Sequence, residues 1–384
     1  MRLAALLAAL ATPLAAQDCG APIPDFKAGL RAEALSMGIP AASADAILAE
    51  ARIDPAVLAA DQAQGVFQLD FITFSRRLIS TTRIENGRAM ADRHAATFDR
   101  IASAYGIPRG VLLAFWAFET DYGAIQGDFN TRNALFTLAH DCRRPALFRP
   151  ELLAAMQLHA RGDFDTDTTG AWAGEIGQVQ MLPRDIMAHG TDGAGDGHVD
   201  LKSSAPDALM SGAALLASLG WRPGEPALQE ITVPADLDWS RTGLNHPASA
   251  ADWAARGVTA RDGDLADLDG AVVLPMGRHG PAFMAYPNFS VYFEWNQSFT
   301  YVLTAAYFAT RLDGAPIYVA GNPDPGLTGV QMIALQDKLA ALGHDTGGSD
   351  GILGEKTREA VQIEQARLGL PPDAWPTADL LSRL

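Results

Sequence analysis

Apolar residues recur three or four positions apart through most of the first 160 residues, and this period predicts helices. "DFKAGLRAEALSMG" and "SADAILAEARI" both show it, and the first ends in Gly38, as helices often do. A third helix is predicted near "NGRAMADRHAATFDRIASAYG" and a fourth in "RGVLLAFWAFET", with Pro108 just before or at its first turn. This part of the chain is therefore expected to be mainly α-helical.

The pattern changes between about residues 221 and 300. Prolines and short alternating runs such as "AVVLPM" and "FSVYFEW" predict a small β-rich insertion, after which "SFTYVLTAAYFATRL" returns to helix. Pro and Gly in "DGAPIYVAGNPDPGLTG" predict a linker, and two helical segments around a Gly-Asp loop follow it. We therefore expect a large domain at 17–312, a linker at 313–326 and a separate module at 327–384.

The first residues, "MRLAALLAALATPLAAQDCG", are typical of a secretory signal peptide. Arg2 precedes an apolar segment at 3–11, and a run of small residues favours cleavage near Ala16. Cys19 does not indicate a lipoprotein, because Gln and Asp precede it where small residues are needed. We expect residues 1–16 to be removed and the mature protein to be soluble and periplasmic, without a membrane span.

The net charge of the chain excludes one class of partner. It is −16, and removing the signal peptide takes away only Arg2, which leaves −17. Such an acidic protein is not expected to bind nucleic acid, and it would hold a polysaccharide by stacking and hydrogen bonds. The two cysteines, Cys19 and Cys142, could form a disulfide in an oxidising compartment or remain unrelated thiols.

A single carboxyl group at the end of an apolar helix is the main chemical candidate. Glu119 follows "VLLAFWAF", so Trp116 and Phe115 precede it by three and four positions. Aromatic surroundings disfavour the charged form and would raise the pKa of Glu119 toward that of a general acid. An ordinary surface glutamate at a helix end is the alternative.

Six stretches occur in order over roughly residues 25–312: "FETDYG", "CRRPALF", "GAWAGEIGQVQMLP", "DGAGDGHVDL", "DALMSGAALLASLGW" and "YPNFSVYFEWNQSFTYVLTAAY". In their order and spacing they resemble lytic murein transglycosylases of the membrane-bound lytic transglycosylase B family. The resemblance implies a mainly α (α+β) fold, with a lysozyme-like catalytic domain at 17–312 that contains the β-rich insertion.

The resemblance also implies the reaction. Glu119 would be the single general acid and base that cleaves the β-1,4 bond between N-acetylmuramic acid and N-acetylglucosamine. The muramoyl 6-hydroxyl would attack in place of water and leave a 1,6-anhydromuramoyl end, with no cofactor required. If the helix continues, Asp121 would point away from the face of Glu119, so it is not assigned as a nucleophile.

The substrate-binding residues are likewise implied by the family. An arginine pair would line the groove and bind acetamido, lactyl or peptide carboxylate groups through forked donors. The positions that match substrate-binding residues are Arg143, Arg144, Gln180, Met181, Trp295, Asn296 and Tyr301. Exposed arginines, core residues at a helix start and structural hydrogen bonds are the alternatives.

Three positions depart from the family pattern. Ala171 stands where many members have Ser, so a hydroxyl that positions the catalytic carboxyl is missing. Glu175 occupies a place commonly held by Ala, and we expect it to face solvent and not to act as a second acid. Trp295 replaces a common Tyr, which keeps a stacking surface but removes a hydroxyl.

"DGAGDGHVD" resembles the first nine positions of a calcium loop. Its possible Ca²⁺ ligands are Asp192, Asp196, the His198 carbonyl and Asp200. Ala194 removes a ligand at the third position, and Asp207 is the only nearby substitute for the glutamate at the twelfth. An Asp/Gly turn without metal is the alternative.

Residues 327–384 resemble the three-helix peptidoglycan-binding domain type 1, chiefly through "DGILGEKT". Leu335, Leu339 and Leu342 would form its packed face, and Gly343 would end the helix. Glu364 stands where the family often has an aromatic residue. Such a module would hold the enzyme on an insoluble mesh, and an inert packing domain is the alternative.

Together these observations predict an exported lytic transglycosylase whose partner is the glycan strands of peptidoglycan. A muramidase that uses water is one alternative. A catalytically silent wall-binding protein is the other, because the Ser is lost at position 171.

Overall fold

The computed structural model describes residues 19–62 and 69–384, so the predicted signal peptide lies outside the described residues. The structure of these ranges is mostly helical, as expected. In chain order the helices are α1 (Ile23–Ser36), α2 (Ala41–Ala49), α3 (Pro55–Gln62), α4 (Phe71–Leu78), α5 (Thr81–Arg93), α6 (Ala95–Tyr105), α7 (Arg109–Thr120), α8 (Thr131–His140), α9 (Pro145–Arg161), α10 (Pro183–His189), α11 (Ala205–Ser218), α12 (Ala250–Ala255), α13 (Pro287–Trp295), α14 (Phe299–Leu312), α15 (Gly329–Ala341), α16 (Glu355–Arg367) and α17 (Ala378–Arg383).

The strands are short, and they form one ribbon and one sheet. They are β1 (Phe129–Asn130), β2 (Thr169–Gly170), β3 (Leu228–Thr232), β4 (Ala248–Ser249), β5 (Thr259–Ala260), β6 (Asp269–Val273) and β7 (Phe283–Ala285). β1 pairs with β2 in antiparallel register. The other five strands form an antiparallel sheet in the order β4-β6-β7-β3-β5, which confirms the small β-rich insertion.

The chain divides into two compact units. The first consists of residues up to 63 together with 126–188, and the second of 64–125 together with 189–384. In the first unit, α8 and α9 pack against each other, and α1 to α3 pack around this pair. Cys19 and Cys142 are joined in a disulfide, which ties the start of the described chain to the turn between α8 and α9.

Helix α7 forms the centre of the second unit. Val111 to Ala117 are all buried, because α14 packs along α7 and α5, α6 and α11 pack around it. The helix begins directly after Pro108, as predicted. The predicted third helix is two helices in the structure, because the chain turns at His94, which ends α5 and precedes α6.

One expected strand is a helix. "FSVYFEW" forms most of α13, although its alternating residues favoured a strand. Pro287 occupies the first helical position, where its fixed φ and missing N–H are suited to a helix. Phe289 and Tyr292, three residues apart, are both buried on one helical face. The alternation therefore came from a helix whose aromatic residues pack on several neighbours.

The C-terminal helices α15 to α17 share a small apolar core that includes Leu335 and Leu339. Leu342, predicted to belong to this face, is half exposed because α15 ends at Ala341. Glu364 is buried and accepts hydrogen bonds from His344 (2.8 Å) and Arg367 (2.6 Å). This ion-paired cluster stands where the family often has an aromatic side chain.

These C-terminal helices are fastened to the β insertion. The buried Gln362 on α16 donates from Nε2 to the carbonyls of Trp239 (2.9 Å) and Thr242 (3.0 Å). Arg358, one turn earlier, donates to the Pro275 carbonyl over 2.9 Å. The predicted linker at 313–326 is packed as well, since Trp375 donates to the Asp324 carbonyl. Buried polar bonds of this kind hold a fixed geometry, because leaving them unmade is costly.

In the described ranges, no single helix combines the length and apolar character needed to cross a membrane. The helices Ala95–Tyr105 and Arg109–Thr120 meet the criterion only as a pair, and they are bent by 118° at their junction.

Candidate active site

Glu119 lies in the last turn of α7, where two side chains from other helices donate to the same carboxylate oxygen. Trp295, the last residue of α13, donates from Nε1 to Oε1 over 3.1 Å. Tyr301, in the first turn of α14, donates its hydroxyl proton to Oε1 over 2.5 Å. An oxygen that accepts two such bonds is favoured as the unprotonated one, so a proton carried by Glu119 is placed on Oε2.

Both donors are held by aromatic packing. The Trp295 ring stacks on Phe115 with centroids 4.4 Å apart, and Phe118 contacts the Tyr301 ring edge-on at 5.8 Å. Burial, and then the nearby charge of Glu119, raises the pKa of Tyr301 well above its ordinary value of 10.0, so its hydroxyl keeps its proton. The aromatic residues predicted to border the carboxyl were on α7 itself, but the donors that bind it come from α13 and α14.

The turn after Glu119 has an unusual backbone. Asp121, Tyr122 and Gly123 all have positive φ, at 51°, 60° and 87°. Arg83 on α5 holds this turn: its Nε donates to Asp121 Oδ1 over 3.0 Å, and its backbone carbonyl accepts from the Tyr122 hydroxyl over 2.8 Å. Asp121 is thus engaged in an ion pair, and it caps α7 in a left-handed conformation, so the helix does not continue through it. Strained turns of this kind persist only where the surroundings enforce them.

Asn296 follows Trp295 and links α13 to α14. Its side-chain Oδ1 accepts the backbone N–H of Ser298 over 2.9 Å, and Ser298 caps α14. This bond fixes the short connection between the two residues that bind Glu119. The structure therefore brings Trp295 and Tyr301 together on the carboxyl, with Asn296 in the connection between them. Arg143, Arg144, Gln180 and Met181 lie in the other unit.

The two arginines share one buried carboxylate. Asp61, on α3, is only 2% exposed, and it forms ion pairs with both Arg143 and Arg144. Arg143 Nε donates to Oδ2 over 2.6 Å, and its terminal nitrogen also reaches the Asp61 carbonyl over 3.1 Å. Burial alone would raise the pKa of Asp61, but the hydrogen bonds from Arg143 and then Arg144 outweigh it and lower that pKa. Both guanidinium groups remain partly exposed.

Gln180 and Met181 form a tight turn in the first unit. Gln180 has a positive φ of 53°, and its side-chain nitrogen Nε2 donates to the Gly177 carbonyl over 2.8 Å. Met181 is buried and exchanges two backbone hydrogen bonds with Ile176. Met181 therefore packs in the core of this turn, and the half-buried Gln180 forms its corner.

Glu175 does not face solvent, contrary to expectation. Its oxygen Oε2 is buried and has no hydrogen-bond partner within the described residues. Burial raises the pKa of Glu175, against the opposing effects of the backbone N–H groups of Glu175 and Ala173. This side chain is half-buried and is not a fully solvated surface charge.

The chain matches two families. Residues 23–310, more than half of its length, match the transglycosylase SLT domain family. The chain belongs to this family. Residues 328–384 match the peptidoglycan binding domain family. The SLT domain thus contains Glu119 and its donors, and the C-terminal match covers α15 to α17.

Proteins similar to this chain are lytic transglycosylases. The chain is 24% identical over 237 residues to membrane-bound lytic murein transglycosylase B of Escherichia coli strain K12, a match that covers 61% of this chain and 64% of that protein. SltB3 from Pseudomonas aeruginosa, solved in complex with NAG-anhNAM-pentapeptide, is 33% identical with a TM-score of 0.86, covering 95% of this chain and 99% of that one. The structure is also similar to that of the Escherichia coli lytic transglycosylase Slt35 in complex with calcium, with 22% identity and a TM-score of 0.65. This match covers 75% of this chain and 92% of that one, and at this identity it supports only a shared fold.

The predicted calcium ligands of this SLT domain are engaged by the protein itself. Asp192 accepts the backbone N–H groups of Gly195 (2.5 Å) and Gly197 (2.7 Å), and Asp200 accepts that of Ser203. Asp207 is buried and accepts the N–H of Ala194 over 2.8 Å and of Asp200 over 2.9 Å.

In the part of the chain that the structure describes, no three His, Cys, Asp or Glu residues are grouped to hold a metal ion. Calcium binding by Asp192, Asp196, the His198 carbonyl and Asp200 stays a prediction.

Sequence reasoning missed two positioning residues of the SLT domain, Asp61 and Arg83. Asp61 is an acid at the end of the apolar helix "PAVLAADQ", which is the same signal that pointed to Glu119. Arg83 gave no local signal, because its two contacts with the turn after Glu119 are 38 and 39 residues away along the chain.

The buried carboxyl of Glu151 is expected to make the stability of this domain depend on pH. It is 3% exposed on α9 and accepts the Arg184 N–H over 2.8 Å. Burial raises its pKa to about 7, against the opposing effect of that N–H. Because the folded pKa exceeds the ordinary 4.5, wild-type stability is complete below pH 4.5 and falls as pH rises to about 7. Glu151→Gln keeps an acceptor without charge, so we expect up to about 3 kcal/mol more stability at pH 8.

Thermal unfolding at pH 4.5 and pH 8 measures this difference. The gain from Glu151→Gln should be large at pH 8 and small at pH 4.5. Glu85 is exposed, so Glu85→Gln serves as the matched control and should not change the unfolding temperature at either pH. An equal shift at both pH values would show that charge burial is not the cause.

Proposed function

We propose that this chain is a lytic transglycosylase that cleaves the β-1,4 bond between N-acetylmuramic acid and N-acetylglucosamine. Glu119 acts as the single general acid and base: it protonates the leaving oxygen and then accepts the proton of the muramoyl 6-hydroxyl. The attack of that hydroxyl in place of water leaves a 1,6-anhydromuramoyl end. The observation that carries the proposal is one helix-end carboxyl whose Oε1 is fixed by Trp295 and Tyr301.

Two further observations support a route with one carboxyl. The nearest acid along the chain, Asp121, is paired with Arg83 and held in the turn after the helix. With Oε1 fixed as acceptor, Oε2 carries the transferable proton in both steps, so no second carboxylate is needed to exchange roles with Glu119. The relative SltB3 was solved with a fragment that bears an anhydro-muramoyl group, in keeping with this product.

The remaining assignments belong to the same proposal. Arg143 and Arg144 bind substrate acetamido or carboxylate groups, Gln180 also binds substrate, and the C-terminal helices bind the wall. The protein works in the periplasm after removal of residues 1–16, where the Cys19–Cys142 disulfide is stable. It needs no cofactor for the proton transfers described.

Mass spectrometry of the fragments released from purified sacculi tests the reaction. The proposal expects products with 1,6-anhydromuramic acid, which are 18 Da lighter than the hydrolysis products because no water is added. Fragments that end in reducing muramic acid would identify a muramidase. Sacculi that bind the protein but stay intact would identify a silent wall-binding protein.

Trp295 and Tyr301 supply a second test of how the acid is held. Trp295→Phe keeps the ring stacked on Phe115 but removes the donor, and Tyr301→Phe removes only the hydroxyl. We expect each to lower kcat about 10-fold to 100-fold, since a bond to a charged group contributes about 1.5–3 kcal/mol.

The pH profile of kcat/KM separates this role from a structural one. Both donors stabilise the ionised carboxylate, so their removal should move the alkaline limb of the profile to higher pH. Tyr318→Phe, which removes a buried hydroxyl that is hydrogen-bonded to Ser75, is a control that should leave the profile in place. Unchanged profiles in both donor variants would contradict the assigned role.

A further inference from the structure

A cleft of about 680 Å³ lies beside the β insertion, on the face of α13 that is turned away from Glu119. Ser290 and Phe293 contribute to its wall from α13. At about 100° per residue, Trp295 lies roughly 140° from Ser290 and 160° from Phe293 around the helix. The cleft is therefore separate from the pair of donors that binds Glu119.

The lining of the cleft combines a cation, two acids and an aromatic ring. Arg222, Asp267 and Asp269 are exposed, and Phe293 is half-buried. The backbone of Arg222 is fixed at both ends by the buried Asn288, which accepts its N–H over 2.7 Å and donates to its carbonyl over 2.8 Å. These charged groups give the cleft a formal charge of −1, from one Arg and two Asp.

We propose that this cleft is a non-catalytic site for a neutral N-acetylhexosamine segment of a glycan strand. This inference rests on the proposed function, because it takes its ligand from the same polymer. The volume is within the usual range for small-ligand sites. The carboxylates of Asp267 and Asp269 accept sugar hydroxyl protons, Arg222 donates to an acetamido oxygen, and the Phe293 ring packs on an apolar sugar face.

The charge of the cleft selects between the two parts of the polymer. A stem peptide carries several carboxylates, and Asp267 and Asp269 would repel them. An uncharged saccharide meets no such repulsion, and its hydroxyl groups suit an acceptor-rich wall. The observations therefore favour glycan over peptide as the occupant.

The cleft also borders the C-terminal helices. Leu244 and Pro247 line it, and between them Asn245 donates to Glu359 on α16 over 3.3 Å. A strand in the cleft would thus lie close to the proposed wall-binding helices, which α16 fastens to the β insertion. Two weak sites on one rigid body hold an insoluble polymer more strongly than either alone.

Hydrogen exchange read by mass spectrometry tests the site at the level of residues. The full-length Glu119→Gln protein is used so that the probe is not consumed, and the probe is the β-1,4-linked tetramer of N-acetylglucosamine. We expect slower exchange in 267–271 and 286–293 at millimolar probe. Asp267→Asn with Asp269→Asn should weaken this protection about 10-fold, because two charged acceptors are lost.

Asp264→Asn is the matched control, since this exposed acid is on the same loop but outside the lining. The probe should slow exchange in this variant as much as in the parent Glu119→Gln protein. Phe293→Ala gives a second variant that removes the ring and leaves the charges. Three results would overturn the proposal. The first is that the probe does not protect 267–271 and 286–293, and the second is that protection persists in the double Asn variant. The third is that a stem tetrapeptide protects these segments and the sugar probe does not. Failure of the proposed reaction appears separately, as wild-type protein that forms no anhydro ends.

Discussion

Glu119→Gln is expected to lower the rate of sacculus cleavage by at least about 10³-fold. The amide cannot protonate the leaving oxygen or take the proton of the 6-hydroxyl, and general acid-base catalysis contributes about 10²–10⁴-fold for such a group. The variant should still fold, because the Gln carbonyl oxygen can accept from Trp295 and Tyr301 as Oε1 does. Release of soluble fragments from sacculi, measured against wild type at equal concentration, gives the ratio.

Asp121→Asn is the matched control for this experiment. It changes an acid two residues away, and its amide oxygen can still accept from Arg83 Nε. We expect its rate to stay within a few-fold of wild type. A Glu119→Gln protein with normal activity would remove Glu119 from the mechanism. An Asp121→Asn protein as inactive as Glu119→Gln would contradict the role of Glu119 as the single acid and base. Co-sedimentation of both variants with sacculi shows that binding is retained.

The surroundings of Glu119 show what the sequence could and could not predict. The helix and its start after Pro108 followed from local pattern, because helical period and capping depend on neighbouring residues. The two donors could be named only through the resemblance. Glu119 is 176 residues from Trp295 and 182 from Tyr301, and no periodicity reports a contact of that range.

Two errors have physical causes of the same kind. "FSVYFEW" was assigned to a β-rich region because its residues alternate, but Pro287 and burial on several sides made it helix α13. Glu175 was expected to face solvent, as charged residues usually do, but its Oε2 is buried in the structure. In both, tertiary packing outweighed the local preference.

The carboxyl of Glu119 has two donors, one from α13 and one from α14. Trp295 combines a ring stacked on Phe115 with an indole N–H that binds Oε1. Trp295 therefore provides both a stacking surface and a donor to the carboxyl.

Asp61→Asn is the second change with a large expected effect. Asp61 is the shared counter-charge of Arg143 and Arg144, and its replacement leaves two adjacent guanidinium groups without it. We expect KM for sacculi to rise about 10-fold, because the pair loses its fixed orientation toward substrate, while kcat changes less. Asp45→Asn breaks an exposed pair with Arg31 and is the matched control, for which no change is expected.

The pH dependence of stability separates this positioning role from general unfolding. Because the folded pKa of Asp61 lies below its ordinary 3.8, its contribution is complete above about pH 4 and is lost as pH falls through the folded pKa. Asp61→Asn should therefore be about 1–2 kcal/mol less stable than wild type at pH 7, a loss moderated by the partial exposure of both arginines. The difference should shrink below pH 4. An unchanged KM at pH 7 in a variant that shows this stability profile would mean that Asp61 holds the arginine pair for the fold alone.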